Sequence, residues 1–195
     1  MTGVPDKIIL GIDPGTNLLG FGIIRVTAGS PEYVDMGILD LRKEKDAYSK
    51  LKAIYDCISE VCKTYSPTEM ALESPFYGKN AQVILKLGRA QGAAMMAGLQ
   101  FGIEVFEYAP RRAKEAIVGS GAASKEQVKA MLERTLKADL SSKHLDATDA
   151  LAIALCHFYE LKTLSVSGGG KPSAGRKSSG AAWERFVKEN PHRVK

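Results

Sequence analysis

The sequence predicts one α/β domain with five strands in the order βββαβαβ, followed by further helices. Residues 7–41 contain three short runs that are β-branched or alternate between apolar and polar residues, with turn-forming residues between them. The spacing of apolar residues then changes to three and four, which is typical of an amphipathic helix. Two further short apolar runs follow, separated by a helical segment. These three observations together predict the fold class.

The strands are justified by residue type and by the turns beside them. The first run ends on Asp13, and the next residues, Pro14 and Gly15, favour a tight turn. The fourth run also ends on a carboxylate, Glu73. The predicted strands are residues 7–13, 19–26, 33–41, 70–73 and 104–108.

The helices are justified by apolar periodicity and by residues that start a helix. Pro110 stands at one helix start, and Ser124 is a capping residue for the next helix. The segment 80–100 is rich in glycine and alanine, which predicts close packing against another backbone. The predicted helices are residues 47–65, 80–100, 111–118, 124–137 and 146–160.

The composition divides the chain into a domain over residues 1–164 and a flexible basic tail over residues 165–195. From Ser165 onward Ser, Gly, Lys, Pro and Ala dominate, as in a linker. The net charge of +5 lies entirely in this tail, whereas residues 79–129 form the basic stretch of the domain. The tail fits an electrostatic DNA arm, a docking helix or an inert extension. Its apolar residues are Trp183, Phe186 and Val187.

Membrane and secreted classes do not fit this sequence. The longest unbroken apolar run, residues 150–156, is too short to cross a bilayer, and residues 1–7 do not resemble a targeting signal. The three cysteines form no CxxC pair and are expected to be reduced. We therefore expect a soluble protein of the cytoplasm.

Four carboxylates occupy positions that predict chemistry. Asp13 and Glu73 end two strands that the proposed sheet places side by side, and Asp146 and Asp149 share one face of the last helix. Carboxylates beside a core are costly unless they are paired, and a hard cation such as Mg²⁺ relieves that cost. Each acid alone also fits a turn, a strand end or a helix cap. Only their convergence favours a metal site.

Six motifs occur in order along the chain. They are residues 9–16 (ILGIDPGT), residues 20–23 (GFGI), Glu73 with residues 76–80 (FYGKN), residues 85–92 (LKLGRAQG), residues 106–110 (FEYAP) and residues 146–153 (DATDALAI). Together they resemble the RuvC family of bacterial Holliday junction resolvases. The resemblance implies a ribonuclease H-like fold with a five-stranded mixed sheet and a homodimer. It also implies a hydrolase that nicks two opposing strands of a four-way DNA junction in recombination and repair.

The resemblance further implies roles for individual residues. Two Mg²⁺ ions, with Mn²⁺ as a substitute, would activate a water and stabilise the departing 3′ oxygen, so no protein general base is required. The catalytic and metal-binding acids are Asp13, Glu73, Asp146 and Asp149. The implied DNA-binding residues are Phe76, which would stack on an unpaired base, and Lys79, Arg111, Arg112, Lys114 and Lys125, which would contact phosphates. The implied dimer-interface residues are Leu85, Gly88, Arg89 and Gly92.

The resemblance also names partners and leaves some features open. Its branch-migration partners would be RuvA and RuvB. Ser74 and Pro75 depart from the family pattern, which leaves the pose of the loop carrying Phe76 open. Asp146 is preferred over His144 as the third ligand because its spacing to Asp149 matches the family.

Three other classes share part of these features. A DNA-binding protein without activity would not require all four acids. Actin-like ATPases have a phosphate loop similar to residues 11–16, but they need a second loop in a duplicated domain, for which this chain is too short. Ribonuclease H-like nucleases of ribosomal RNA precursors share the acids but generally lack the loop of Phe76 and the motif of residues 85–92.

Overall fold

The structure is a computed structural model that describes residues 6–74, 80–140, 145–167 and 188–189. Some predicted features lie outside these ranges. They are the DNA-binding residues Phe76 and Lys79, His144, and the apolar residues Trp183, Phe186 and Val187 of the tail.

Five strands of the described ranges form one mixed sheet. The strands are β1 (Lys7–Asp13), β2 (Leu18–Thr27), β3 (Ser30–Asp40), β4 (Glu69–Glu73) and β5 (Glu104–Tyr108), and their order in the sheet is β3-β2-β1-β4-β5. β2 is antiparallel to both β1 and β3, whereas β4 is parallel to both β1 and β5. The predicted mixed sheet and its βββαβαβ order are therefore confirmed.

In the described part of the chain, five helices flank the sheet. They are α1 (Ala47–Tyr65), α2 (Ala81–Leu99), α3 (Pro110–Val118), α4 (Lys125–Leu136) and α5 (Leu145–Ser167). Side chains of Asp46, Asn80 and Ser124 cap the first, second and fourth helices. α5 extends seven residues beyond its predicted end at residue 160, because Leu161 is still buried in the core. The predicted start of the tail, residue 165, therefore lies in the last turns of α5.

The strands alternate their side chains between two helical layers. Leu10 and Ile12 of β1 pack in the cluster formed with α1 and α2, whereas Ile9 packs in the cluster formed with α5. Asp13 and Glu73 belong to the α5 side by the same alternation. The acids at the ends of β1 and β4 therefore face the helix that carries the other two acids. Within the described ranges, no helix is both long and apolar enough to span a bilayer.

α5 lies directly on the backbone of the sheet because three glycines leave room for it. A Cβ at Gly11 would lie 2.1 Å from the carbonyl oxygen of Ala150, and one at Gly20 would lie 2.1 Å from the carbonyl oxygen of Asp146. Gly22 is opposite Gly11 in the β1–β2 register, and a Cβ there would lie 2.6 Å from the Cα of Leu151 in α5. We call Gly11, Gly20 and Gly22 the glycine seat. It fixes the separation between α5 and the sheet.

A buried polar network joins the sheet to α5 away from the acids. Lys7 Nζ lies 2.7 Å from Glu69 Oε1, and His157 Nε2 lies 3.0 Å from Glu69 Oε2. His157 Nδ1 is 2.6 Å from the hydroxyl of Tyr108, and His157 is fully buried. Burial alone would raise the pKa of Glu69, but hydrogen bonds from His157 and Lys7 lower it. We call these four residues the buried network.

Candidate active site

Two parallel strands and the start of one helix bring the four predicted acids to one edge of the sheet. Asp13 is the last residue of β1 and Glu73 is the last residue of β4. Because β1 and β4 are parallel neighbours, both carboxylates emerge at the same edge. Asp146 and Asp149 lie in the first two turns of α5. The start of this helix packs against Gly20 of the glycine seat, at the same edge of the sheet.

Three of the acids form a tight cluster. Carboxylate oxygens of Asp13, Asp146 and Asp149 all lie within 4.8 Å of one another. Glu73 is outside this group of three but lines the same cavity of about 250 Å³ as Asp13 and Asp149. The structure thus brings together every acid that the sequence singled out. Their catalytic and metal-binding roles remain predictions.

The electrostatics of the cavity fit a cation. Burial, and then the charge of Asp149, raise the pKa of Asp13 to about 6. Burial, and then the charge of Asp13, raise the pKa of Glu73 to about 8. These carboxyl groups repel one another when ionised, and an oxygen-binding divalent ion would relieve this repulsion. The donor set, which consists only of carboxylate oxygens, suits such an ion.

Two of the predicted DNA-binding lysines line the same cavity. They are Lys114 of α3 and Lys125 in the first turn of α4. Lys125 Nζ donates a hydrogen bond to Asp149 Oδ2. Burial alone would lower the pKa of Lys125, but its bond to Asp149 and the neighbouring acids raise it. A phosphate that enters this cavity would meet two ammonium groups beside the acids.

The two predicted arginines do not line this cavity. Arg111 Nε lies 2.9 Å from Glu115 on its own helix, and Arg112 lies 2.5 Å from Glu160 of α5. Glu160 follows Asp149 by eleven residues, which is roughly 16–17 Å along a helix. The DNA-binding role of these arginines remains a prediction, and their present partners are carboxylates that do not line the cavity.

The predicted dimer residues lie on an exposed surface of α2. Leu85 is 51% exposed, and a Cβ added at Gly88 or at Gly92 would have no atom within 4 Å. Helical spacing extends this surface to two further exposed apolar residues near the end of α2. We call this surface the α2 stripe, which consists of Leu85, Gly88, Gly92, Met96 and Leu99. Arg89, beside the stripe, lines a separate cavity between α1 and α2.

The glycine seat was not predicted from the sequence, although the sequence contains a signal for it. Gly20 and Gly22 are two residues apart, so they lie on the same face of β2, and Gly11 pairs with Gly22 across the strands. Glycines that alternate on one face of a central strand indicate that another backbone approaches closely. Gly20 also pairs with Asp13, so the seat reaches the acids themselves.

Comparisons with known proteins agree on one family. A family model described as crossover junction endodeoxyribonuclease RuvC matches residues 9–157. A protein of that description from Bacteroides fragilis is 48% identical over 195 residues, which cover 98% of each chain. One from Christiangramia forsetii is 47% identical over 190 residues, covering 97% of this chain and 94% of the relative. The solved structure of T. thermophilus RuvC in complex with Holliday junction substrate matches with a TM-score of 0.75 and 28% identity. That match covers 82% of this chain and 97% of the T. thermophilus chain.

Proposed function

Because this chain belongs to the RuvC family of crossover junction endodeoxyribonucleases, with its ribonuclease H-like fold, we propose that it resolves Holliday junctions. It nicks two opposing DNA strands symmetrically, in recombination and repair. The observation that carries this proposal is the convergence of Asp13, Glu73, Asp146 and Asp149 at one edge of the sheet. A protein that only bound DNA would have no use for four mutually repelling carboxylates.

The acids are proposed to hold two Mg²⁺ ions, for which Mn²⁺ can substitute. Asp13, Asp146 and Asp149 offer closely spaced oxygens, and Glu73 offers a further carboxylate in the same cavity. When bound, the metal supplies an activated water and stabilises the departing 3′ oxygen. The fold holds these carboxylates in fixed positions, because two of them end strands and the other two lie on the helix that packs against the glycine seat.

The DNA is proposed to enter beside α3 and α4. Lys114 and Lys125 hold a phosphate next to the acids, which positions the strand without reading its sequence. Phe76 stacks on an unpaired base near the crossover. Lys79, Arg111 and Arg112 extend the phosphate contacts outside the cavity.

The proposed enzyme is a homodimer that works with RuvA and RuvB in the cytoplasm. Two active sites are required because two opposing strands are nicked. The α2 stripe supports a dimer, because it exposes Leu85 and Met96 beside glycines that leave room for another backbone. The predicted interface of Leu85, Gly88, Arg89 and Gly92 occupies the middle of α2.

The test is cleavage of an end-labelled four-way DNA junction beside a linear duplex of the same sequence, with Mg²⁺ or with EDTA. Several junction sequences are needed, because a sequence preference could hide activity. We expect symmetric nicking of the junction alone, only with Mg²⁺. Asp13→Asn should lose this activity, whereas Asp56→Asn, which changes an exposed acid on α1, should keep it.

Other outcomes would favour the alternative classes. Tight junction binding without cleavage under any divalent metal would favour a DNA-binding protein. Cleavage of structured RNA, with no binding or cleavage of junctions, would favour the nucleases of ribosomal RNA precursors.

A further inference from the structure

The acid cluster already has a cation of its own, the ammonium group of Lys125. Its Nζ donates to Asp149 Oδ2, and its charge also acts on Asp13 and Glu73. Nearly half of the Lys125 side chain is exposed, whereas Asp149 is mostly buried. The lysine therefore reaches the acids from the open side of the cavity, where a DNA strand would approach.

The position of Lys125 in its helix makes this contact dependent on an acidic partner. Lys125 is the first residue of α4, and Ser124 and Gln127 fix this helix start through a capping box. A cation near a helix N-terminus is unfavourable because the helix dipole is positive there. Lys125 thus needs a nearby anion, and Asp149 is the partner that the folded chain provides.

Lys114 differs from Lys125 although both line the cavity. Lys114 acts on Glu73 through its charge, but in the described part of the chain it forms no ion pair with any of the four acids. The two lysines carry the same charge and line the same cavity. Only Lys125 occupies an oxygen that a metal ion would need.

We propose that Lys125 couples metal binding to DNA binding by exchanging Asp149 for a DNA phosphate. In the free protein the ammonium group competes with a divalent ion for Asp149. When DNA is bound, a phosphate becomes the partner of Lys125, and the Asp149 carboxylate is released for the metal. Metal ions therefore bind tightly only where DNA is present. This inference rests on the proposed function, since it assumes that DNA phosphates reach the cavity.

Thermodynamic reciprocity gives the inference a second consequence. If DNA raises the affinity for metal through Lys125, metal must raise the affinity for DNA by the same factor. Direct contacts between metal and phosphate also couple the two ligands, and they would persist when Lys125 is replaced. The contribution of Lys125 is the part of the coupling that a Lys125 variant loses.

The first experiment measures Mn²⁺ binding to the full-length protein without DNA, by electron paramagnetic resonance of free Mn²⁺. Lys125→Met should bind Mn²⁺ about tenfold more tightly than the unaltered protein. Lys125→Arg keeps the charge and should resemble the unaltered protein. Lys114→Met is the matched control, and its Mn²⁺ affinity should change much less. Equal Mn²⁺ affinity in Lys125→Met and the unaltered protein, or an equal gain in Lys114→Met, would overturn the inference.

The second experiment measures the coupling itself with Ca²⁺ and a four-way junction, and gels confirm that the DNA stays intact. The ratio of Ca²⁺ dissociation constants without and with junction should fall about tenfold in Lys125→Met. An unchanged ratio would contradict the exchange. Thermal unfolding in EDTA shows that each variant is folded. The Mn²⁺ experiment needs no DNA cleavage, so failure of the proposed function and failure of this inference are separate results.

Discussion

Asp13 and Glu73 are the residues whose charges the fold destabilises most clearly. Burial and neighbouring acids raise their pKa values to about 6 and about 8, whereas both groups titrate near pH 4 in an unfolded chain. Between about pH 4 and pH 8 the folded chain therefore holds protons that the unfolded chain has released. The stability of the metal-free protein falls as the pH rises through this window, and it levels off above about pH 8.

Glu73→Gln removes part of the destabilisation that ionisation of these two buried carboxyl groups causes. In EDTA at about pH 8 we expect the variant to be roughly 2 kcal/mol more stable than the unaltered protein, and at about pH 4 equally stable. Urea unfolding across this range measures the difference. Glu32→Gln, at an exposed position of β3, is the control and should show no such pH dependence. A gain that is equal at both pH values would contradict the explanation.

Phe76→Ala tests the proposed stacking residue. We expect junction cleavage to fall strongly while thermal stability stays nearly unchanged, because stacking on a base contributes about 1–3 kcal/mol. Tyr48→Ala, at an 81% exposed aromatic residue of α1, is the matched control and should keep its cleavage rate. A large loss of thermal stability in Phe76→Ala would instead place this side chain in the core.

At the scale of the elements, the proposed active site depends on how closely α5 approaches the sheet. Gly20→Ala places a Cβ against the backbone carbonyl of Asp146. A backbone carbonyl cannot move away by adopting another rotamer, as a side chain can. We expect the first turn of α5 to shift and the Mn²⁺ affinity to fall by at least about tenfold, together with some loss of stability. Gly88→Ala, where a Cβ meets nothing, should keep its metal affinity. Unchanged Mn²⁺ binding in Gly20→Ala would mean that the seat does not position the acids.

The α2 stripe makes a prediction about assembly. Gly92→Leu adds a side chain where the protomer has open space, and it improves helix propensity by about 1 kcal/mol, so the protomer should fold. In the proposed dimer the same side chain would separate two closely packed α2 helices. We therefore expect the variant to be monomeric at concentrations where the proposal makes the unaltered protein dimeric. Sedimentation velocity measures this. Ala130→Leu, at an exposed position of α4, is the control. An unchanged dimer would place the interface elsewhere.

At the scale of the whole molecule, the buried network links parts of the chain that are far apart in sequence. Glu69 joins Lys7, 62 residues earlier, to His157, 88 residues later. Glu69→Leu leaves the buried Lys7 without its counter-charge, so we expect a loss of about 3–5 kcal/mol in the free energy of unfolding. Adding Lys7→Met should recover part of the loss, because the unpaired charge is removed. Urea unfolding measures the free energy of unfolding of each variant. A double variant no more stable than the single one would contradict this explanation.

The predictable features of this fold are those that a local pattern determines. Strand ends at Asp13 and Glu73 followed from apolar runs and turn residues, and the pairing of Asp146 with Asp149 followed from helical spacing. The motifs then predicted the family. Features that depend on distant partners were not predictable. Nothing near Arg112 in the sequence indicates that its partner is Glu160.

The difference between local patterns and distant partners also explains why other features were not predicted. The buried network depends on tertiary pairing across 62 and 88 residues, which no local pattern reports. The bond between Lys125 and Asp149 spans 24 residues and two helices. The length of α5 depends on whether Leu161 finds a place in the core, which only the packed structure shows.

The glycine seat also limits how this protein can vary. Core substitutions that conserve volume are tolerated best, because neighbouring side chains can repack around them. At Gly11 and Gly20 backbone meets backbone, so no rotamer change can compensate for an added atom. Sequence drift can therefore accumulate on the α1 and α2 side of the sheet while the spacing of the carboxylates stays constant. To build the same four-acid site into another α/β protein, the three glycines would have to be introduced first, and the acids after them.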